Sequence, residues 1–561
     1  MGLAWGVMAG GALSYKNPFI YLSDGFNTRT PGSGMGGQFA TMSWLRGKKA
    51  ALFGGIEWHI PNAKGHRLKI ELDSNNYENM DLPLEGDRVL PTRSHVNIGY
   101  TIPYSENIQF NLGFIRGNTL QFGFSLAIPL GKKNPLITKS DTPKEVNNAN
   151  IIKRVNQSNK DFLYRTSLRD LRLESIYLQS ATLEGNTFHV NYSQSKYYHA
   201  TQALGRTVRI LDQISPENIS YFIISEENGP FVNFQAKVSR ASFVQNLKYD
   251  DYQTAFNNIE FSQPNINQKN SEFNPLAKYP IFSYSFGPAL RSHIGGPDGF
   301  ALGQIFLRGD AQFVFNKKNS ITSSIGIGIY DTFDQLKLPS NSILPHVRTE
   351  IVNYLKGGRD WNIIRLQFDN IDKLSDNIYR RFSLGIFEEM FSGVGGEILF
   401  RPLKSNYALG IDLYRVFQRD FDGEFGLLGY STTTGHMTFY LEEPKTGILL
   451  RLIGGRYLAR DSGITLDFSR RFSSGLSMGV FASKTDISVE EFGEGSFDKG
   501  FYFSMPIDLF FQNNSKAVTG FGMRPITRDG AAKLITGYDL WGVSNSGSLN
   551  TLARSREFIY D

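Results

Sequence analysis

The sequence predicts a mainly β protein made of transmembrane antiparallel β-barrels. One is incomplete and N-terminal, one is C-terminal, and a small α+β domain is inserted between them. Three observations carry this expectation. Apolar and polar residues alternate strictly over segments of about ten residues, the spacing of a strand with two different faces. The apolar faces are broad, whereas the polar faces are small, glycine-rich or charged at mid-strand. Finally, 44 Phe, 26 Tyr and 56 Gly among 561 residues suit the rims and turns of barrels in lipid.

The clearest alternating segment is 119–128, where Leu120, Phe122, Phe124, Leu126 and Ile128 oppose Thr119, Gln121, Gly123, Ser125 and Ala127. Residues 321–330 set Ile321, Ile325, Ile327 and Ile329 against Thr322, Ser324, Gly326, Gly328 and Tyr330. In 501–509, Phe501, Phe503, Met505, Ile507 and Leu509 oppose Tyr502, Ser504 and Asp508. Segments 108–114, 305–315, 364–369, 407–414 and 464–469 follow the same rule. Mid-strand charges on the polar faces include Lys69, Glu71, Arg308, Asp310, Arg365, Asp369, Asp412, Asp467 and Arg471. A soluble sheet can wet such a face, but a sandwich of this size asks for shorter strands and a more mixed core. Tyr284, Tyr330, Tyr354, Trp361, Tyr440, Tyr457 and Trp541 are the expected rim aromatics.

The texture changes between residues 131 and 280. Residues 132–160 are polar and rich in Lys, Asn and Ser, as in a linker. Short strands at 171–178 and 186–192 flank a turn at Glu184-Gly185-Asn186. Residues 196–214 then switch to helical spacing through Ala200, Ala203, Leu204, Val208, Leu211 and Ile214, with Ser195 as N-cap and Pro216 as stop. Strands at 219–226 and 231–238 flank Asn228-Gly229-Pro230, and a short helix is expected at 240–248. The organisation predicted is a partial barrel at 1–130, a linker at 131–160, an α+β domain at 161–250 and a linker at 251–280. A C-terminal barrel with about 13 or 14 strands follows at 281–543, with a tail at 544–561. The apolar start at 2–13 lacks a preceding Lys or Arg, so it reads as a Gly-rich strand rather than a signal segment. With only about seven strands before residue 130, the expectation is of an N-terminally truncated chain, whose missing part would hold an export signal and further strands.

Several function classes fall away on composition. There is no cysteine, which excludes disulfides, thiolate metal sites and a thiol nucleophile, and suits passage through an oxidising periplasm. A net charge of +6 without visible clustering gives no nucleic-acid footprint. No stretch reaches the roughly 20 apolar residues of a membrane helix. The G-x-S-x-G match at Gly475, Ser477 and Gly479 lies in an alternating strand rather than at a strand-to-helix elbow. The G-x-G-x-x-G match at 32–37 follows Pro31 and opens no helix. The eight histidines, His59, His66, His95, His189, His199, His293, His346 and His436, have no metal-ligand spacing. No cofactor or metal is expected, and no enzymatic activity. His436, on a strand, is the residue a barrel-embedded hydrolase would use.

Charge-rich segments bounded by glycine are more specific: 418–426, 455–463, 492–501 and 524–530. They read partly as loop-closing ion pairs and turns, and partly as a polar constriction whose mixed signs describe no simple ion filter. Together with 400–404 (Phe400, Arg401, Pro402, Leu403, Lys404), 407–412, Thr434-Gly435-His436, 52–56 and 116–120, these segments resemble the YjbH family of outer-membrane proteins, with its GfcD- and WbfB-type members of exopolysaccharide and capsule operons. The resemblance spans essentially the whole chain and is densest over 400–530. It implies a two-barrel protein of the Gram-negative outer membrane with a periplasmic α+β part, acting in biogenesis or secretion of an extracellular polysaccharide. Its expected partners are that polysaccharide, outer-membrane lipid, and periplasmic or lipoprotein partners of the same pathway, with no nucleic acid. Arg308, Asp310, Arg365, Asp412, Asp467 and Arg471 are the expected polar residues of the lumen, from alternation alone. The alternatives are a general diffusion porin, a structural anchor with plugged lumens, and the barrel-embedded hydrolase.

Overall fold

A computed structural model describes residues 2–8, 17–28, 46–47, 51–73, 91–133, 137–146, 159–263, 271–275, 279–296, 299–336, 343–488, 497–524 and 529–561. The chain forms two compact units, residues 1–129 and the bulk of 130–561.

The first unit is a six-stranded antiparallel meander. Its strands are β1 (Gly2–Met8), β2 (Ala51–His59), β3 (Arg67–Leu72), β4 (Val96–Pro103), β5 (Ile108–Ile115) and β6 (Thr119–Leu126). Alternation sets its two faces. Leu120, Phe122, Phe124 and Leu126 are exposed, as are Leu112 and Phe114 beside them. The other face carries the Lys69–Glu57 ion pair at 3.5 Å and the bonds from Thr101 to Asn111 (2.9 Å) and from Asn111 to Ser125 (3.2 Å). A cavity of about 220 Å³ opens there. Six strands are described where about seven were expected, and the G-x-G-x-x-G segment lies outside the described residues.

The second unit begins with an α+β region. Helix α1 (Lys160–Leu173) leads to β7 (Ile176–Glu184) and β8 (Thr187–Gln194), then α2 (Ala200–Ile214), β9 (Tyr221–Asn228), β10 (Phe231–Ser239), α3 (Arg240–Lys248), α4 (Tyr252–Asn257) and β11 (Glu260–Ser262). The sheet order is β11-β10-β9-β8-β7, and only β8 and β9 run parallel, because α2 carries the chain across between them. Apolar side chains close the core: Phe188, Val190, Tyr192, Leu204, Leu211, Phe222 and Phe234 are fully buried.

Here the structure corrects the sequence reading. Helix α1 begins at the last residue of the expected linker and covers the start of the expected 171–178 strand, its first turn capped by Asn159, whose side chain accepts from the Phe162 N–H at 2.9 Å. Helix α2 starts at Ala200 rather than 196, with His199 and not Ser195 at its N-cap. Helix α4 and strand β11 occupy the start of the expected second linker.

The remainder is a thirteen-stranded antiparallel meander in sequence order. It comprises β12 (Ile281–Gly296), β13 (Gly299–Val314), β14 (Asn319–Asp331), β15 (Trp361–Ser375), β16 (Ile378–Ile386), β17 (Phe391–Phe400), β18 (Tyr407–Arg419), β19 (Leu427–Glu443), β20 (Ile448–Arg456), β21 (Ser462–Arg471), β22 (Ser477–Thr485), β23 (Asp498–Pro506) and β24 (Val518–Met523). Helix α5 (Ile351–Gly357) sits in the long β14–β15 connection. No ladder joins β12 to β24 among the described residues, so closure into a barrel is not observed, and the sheet has two edges. Strands stop at Met523 rather than running to 543. Residues 529–561 instead form α6 (Leu540–Asn545), α7 (Leu549–Arg554) and irregular chain.

The two faces of this sheet are chemically opposite. Ile398, Ile411 and Met437 stand in one cross-strand row, and Leu409, Phe439, Leu452 and Leu466 in another. All seven side chains are exposed. The inner face holds Asp369, Arg381, Glu397, Thr434, His436, Asp467 and Ser483, all buried.

The expected rim aromatics divide by burial. Tyr284, Tyr330 and Trp361 are exposed, whereas Tyr354, Tyr440, Tyr457 and Trp541 are buried. Tyr354 lies on α5 and donates to the Arg419 carbonyl at 2.6 Å. Trp541, on α6, stacks on Tyr440 with centroids 4.4 Å apart.

Candidate functional site

The inner face is a site because another part of the same chain lies on it. We call 529–561 the return segment. It starts at the end of the sheet that bears the long connections. There the Asp529 carboxylate accepts from the Arg348 and Thr349 N–H groups at 2.7 and 3.0 Å. The Ala531 N–H donates to Asp461 at 2.7 Å, whose carboxyl burial pushes up from the ordinary range. The segment then passes along the strands. Arg381 donates to the carbonyls of Tyr538 and Thr536, Gln367 to Thr536, and the Leu540 N–H donates to Glu397 at 2.9 Å. At the opposite end Arg401 holds Ser544 and Asn545 at 2.9 and 2.6 Å, and its guanidinium lies over the Trp541 ring.

Side chains from β15, β16, β17 and β19 thus meet one short stretch, 536–541. Neighbouring strands lie about 4.8 Å apart, so four spacings cover about 19 Å, a distance that six residues of extended chain can bridge.

Beyond α6 the segment enters the α+β region. Leu552, Ile559 and Tyr560 belong to the buried core there. On α2, Arg206 donates to the Asp561 carbonyl at 2.6 Å, Arg209 to Tyr560 at 2.8 Å and Thr201 to Ser555 at 2.7 Å. Gly205 is required by this approach, since a Cβ there would lie 1.7 Å from the Ile559 carbonyl oxygen. His199, stacked on Phe558 with centroids 3.8 Å apart, has its pKa lowered to about 3 by burial, with the Arg471 charge adding to the effect.

All six expected lumen residues lie on the inner face, but they play different parts. Arg308 and Asp310 pair with each other at 3.0 Å and stay partly exposed. Arg365 donates to the Phe387 carbonyl at 2.9 Å and lies against Gly537. Asp412 bonds His436 at 3.2 Å and pairs with Lys533 of the return segment at 3.6 Å. Asp467 is held by Arg451 (2.8 Å) and Tyr502 (2.9 Å). Arg471 sits at the end facing the α+β region, where it donates to the Tyr198 hydroxyl at 2.9 Å.

Sequence reasoning missed the centre of the site: Gln367, Arg381, Glu397 and the return segment itself. Cross-strand register places Arg381 opposite Glu397, Glu397 opposite Asp412, and Asp412 opposite His436. Asp369 accepts from Arg381 at 3.0 Å and from Ser383 at 2.5 Å. The usable signal was the alternation in 378–386 and 391–400, which sets these charges among inward residues.

Of the charge-rich segments, 418–426 closes loops, as one half of the reading held, whereas 492–496 and 525–528 of two others lie outside the described residues. Arg419 donates to five carbonyls, those of Ile363, Glu388, Glu389, Gly423 and Glu424. No group of three or more metal-ligating side chains exists among the described residues. Ser477 opens β22 directly after a turn at Gly475, with no helix following.

Comparison with known proteins adds the family. The family profile described as "Exopolysaccharide biosynthesis protein YbjH" matches residues 1–545. The uncharacterized lipoprotein YjbH of Escherichia coli (strain K12) is 29% identical over 98% of this chain and 78% of its own length. The segments that meet the return segment, those of Arg401, Asp412 and Asp461, are among those that suggested the resemblance, and the chain belongs to the YjbH family of exopolysaccharide biosynthesis proteins.

Proposed function

We propose that this protein is held in the outer membrane of a Gram-negative bacterium by the outer face of its thirteen-stranded sheet. There it serves export or assembly of an exopolysaccharide or capsule, without itself performing chemistry on the sugar. One observation carries this reading: rows of exposed Ile, Leu, Phe and Met continue from strand to strand, while the opposite face is charged and buried. The largest contiguous apolar patch on a typical soluble monomer is about 300–600 Å², whereas these rows run across five neighbouring strands, β17 to β21. Lipid is the solvent that favours such an inverted sheet. The α+β region then stands in the periplasm, where it meets partners of the same pathway. The relative's description as a lipoprotein agrees with a membrane setting.

A second reading is favoured by the return segment: an anchor whose interior is permanently filled. The two are separated by locating the polysaccharide after deletion of the full-length gene. Loss from the surface with periplasmic accumulation supports export. Unchanged amount and location would sink the export role and leave the anchor. Normal amount with altered chain length would instead revive a hydrolase.

A further inference from the structure

We infer that the buried row formed by Gln367, Asp369, Arg381 and Glu397 is a binding site for a hydroxyl-rich chain, and that residues 533–540 of the protein itself occupy it at rest. The inference rests on the export reading above and gives it a site.

The first ground is what the row reads. Arg381 and Gln367 donate to backbone carbonyls, and Glu397 accepts from a backbone N–H. These backbone contacts carry little side-chain specificity; the row also meets the Tyr538 side chain, whose ring lies 4.4 Å from the Arg381 guanidinium. A sugar hydroxyl is both donor and acceptor, so a polyol can replace each of these partners in turn.

The second ground is that the row cannot be left empty of polar partners. Arg381 and Asp369 are at most 2% exposed, and buried charges that lose their hydrogen bonds are strongly destabilised. Whatever displaces the return segment must bring hydrogen-bonding groups of its own. Gln367 adds one free valence already, because its buried Oε1 has no partner.

The third ground is that the segment is seated on one side only. Ile535 is 56% exposed and Gly537 is exposed on the side away from the row. Gly537 has φ +84°, and a Cβ there would lie 1.8 Å from Arg365 Nη1. Only glycine lets the chain lie this close at that position. Leu534 and Leu540 sit in buried apolar clusters, Ile535 and Gly537 between them stay exposed, and both ends of the stretch are gripped: by Asp461 and Arg348 at one end, and by Arg401 and the α+β core at the other.

The test uses the absence of native cysteine. Leu540→Cys places a single thiol within the stretch itself, where Leu540 is now fully buried and its N–H is held by Glu397. Ser167→Cys, fully buried on α1, is the control for general loosening. The full chain in outer-membrane vesicles is treated with a polyethylene-glycol maleimide, with and without exopolysaccharide purified from the producing strain. The expected result is labelling of Leu540→Cys accelerated by about tenfold or more, as the displaced population rises, with Ser167→Cys unchanged. An unchanged rate at Leu540→Cys would overturn the inference, and so would equal acceleration at both positions. Neither result touches the gene-deletion outcome, so the export reading can survive the loss of this site.

Discussion

The α+β region and the thirteen-stranded sheet are built from the same alternation, but they solve opposite problems. In the α+β region Phe222 and Ile224 point into a dry core, while Tyr221 and Ile223 face outward. In the sheet Leu466 and Phe468 point outward, and Asp467 and Ser469 are buried. Period-two patterning tells which residues share a face. It does not tell which face is wet, because that is decided by what each face finds to cover it. The α+β sheet finds α2, whereas the inner face of the large sheet finds the return segment, with polar groups meeting polar groups.

The largest expected effect tests the buried polar interior. Arg381→Met strands Asp369 and Glu397 without their cation, and should cost about 3–5 kcal/mol, read as a lowered denaturant midpoint in detergent. An unchanged midpoint would mean that Asp369 and Glu397 do not depend on the Arg381 charge.

Next comes the outer face. Leu466→Arg should cost about 2–4 kcal/mol in a bilayer near mid-depth, whereas Leu173→Arg, at an exposed helix end, should stay within about 0.5 kcal/mol. Equal, small effects measured by unfolding in lipid would mean that both faces are wetted.

A smaller effect is pH-dependent and belongs to the α+β region. His199 stays neutral in the fold, with a pKa of about 3, against about 6.5 when unfolded. Below pH 6.5 the unfolded chain takes up a proton that the folded chain refuses. The stability is therefore complete above about pH 6.5 and declines as pH falls toward 3. Thermal unfolding of the α+β region should show this slope between pH 6.5 and 4, and His199→Phe, which keeps a ring against Phe558, should flatten it.

The smallest effect is expected at Arg308 and Asp310. Their partly exposed pair should contribute less than about 1 kcal/mol, so Arg308→Ala should leave unfolding nearly unchanged. A large loss would place this pair among the buried polar contacts after all.

The strands were legible because alternation is local. Segments 321–330, 407–414 and 464–469 all lie within observed strands. The turn at Asn228-Gly229 was legible for the same reason, with Gly229 at φ +59°. The α1 helix escaped because its apolar residues, Leu163, Leu168 and Leu171, are spaced among charges that resemble the preceding linker. The return segment escaped for a deeper reason. Its residues make no regular pattern of their own, since their conformation is imposed by Arg381, Glu397 and Arg401, far away in sequence. Trp541 looked like a rim aromatic because nothing local distinguishes a ring in lipid from one stacked on Tyr440.

Thr201 and Ser555 are hydrogen-bonded across 354 positions of sequence, and that separation bears on the order of assembly. The α+β core includes Leu552, Ile559 and Tyr560, which emerge from the ribosome long after α2 and after every strand of the large sheet. Until they arrive the core has an apolar hole, and Arg206 and Arg209 lack their partners at Asp561 and Tyr560. Contacts this remote close slowly, because the intervening chain must first be ordered. The early domain is thus kept from completing its fold until the strands that follow it have been made, and a chain cut short before residue 549 would be left with an open, apolar core that invites aggregation or proteolysis.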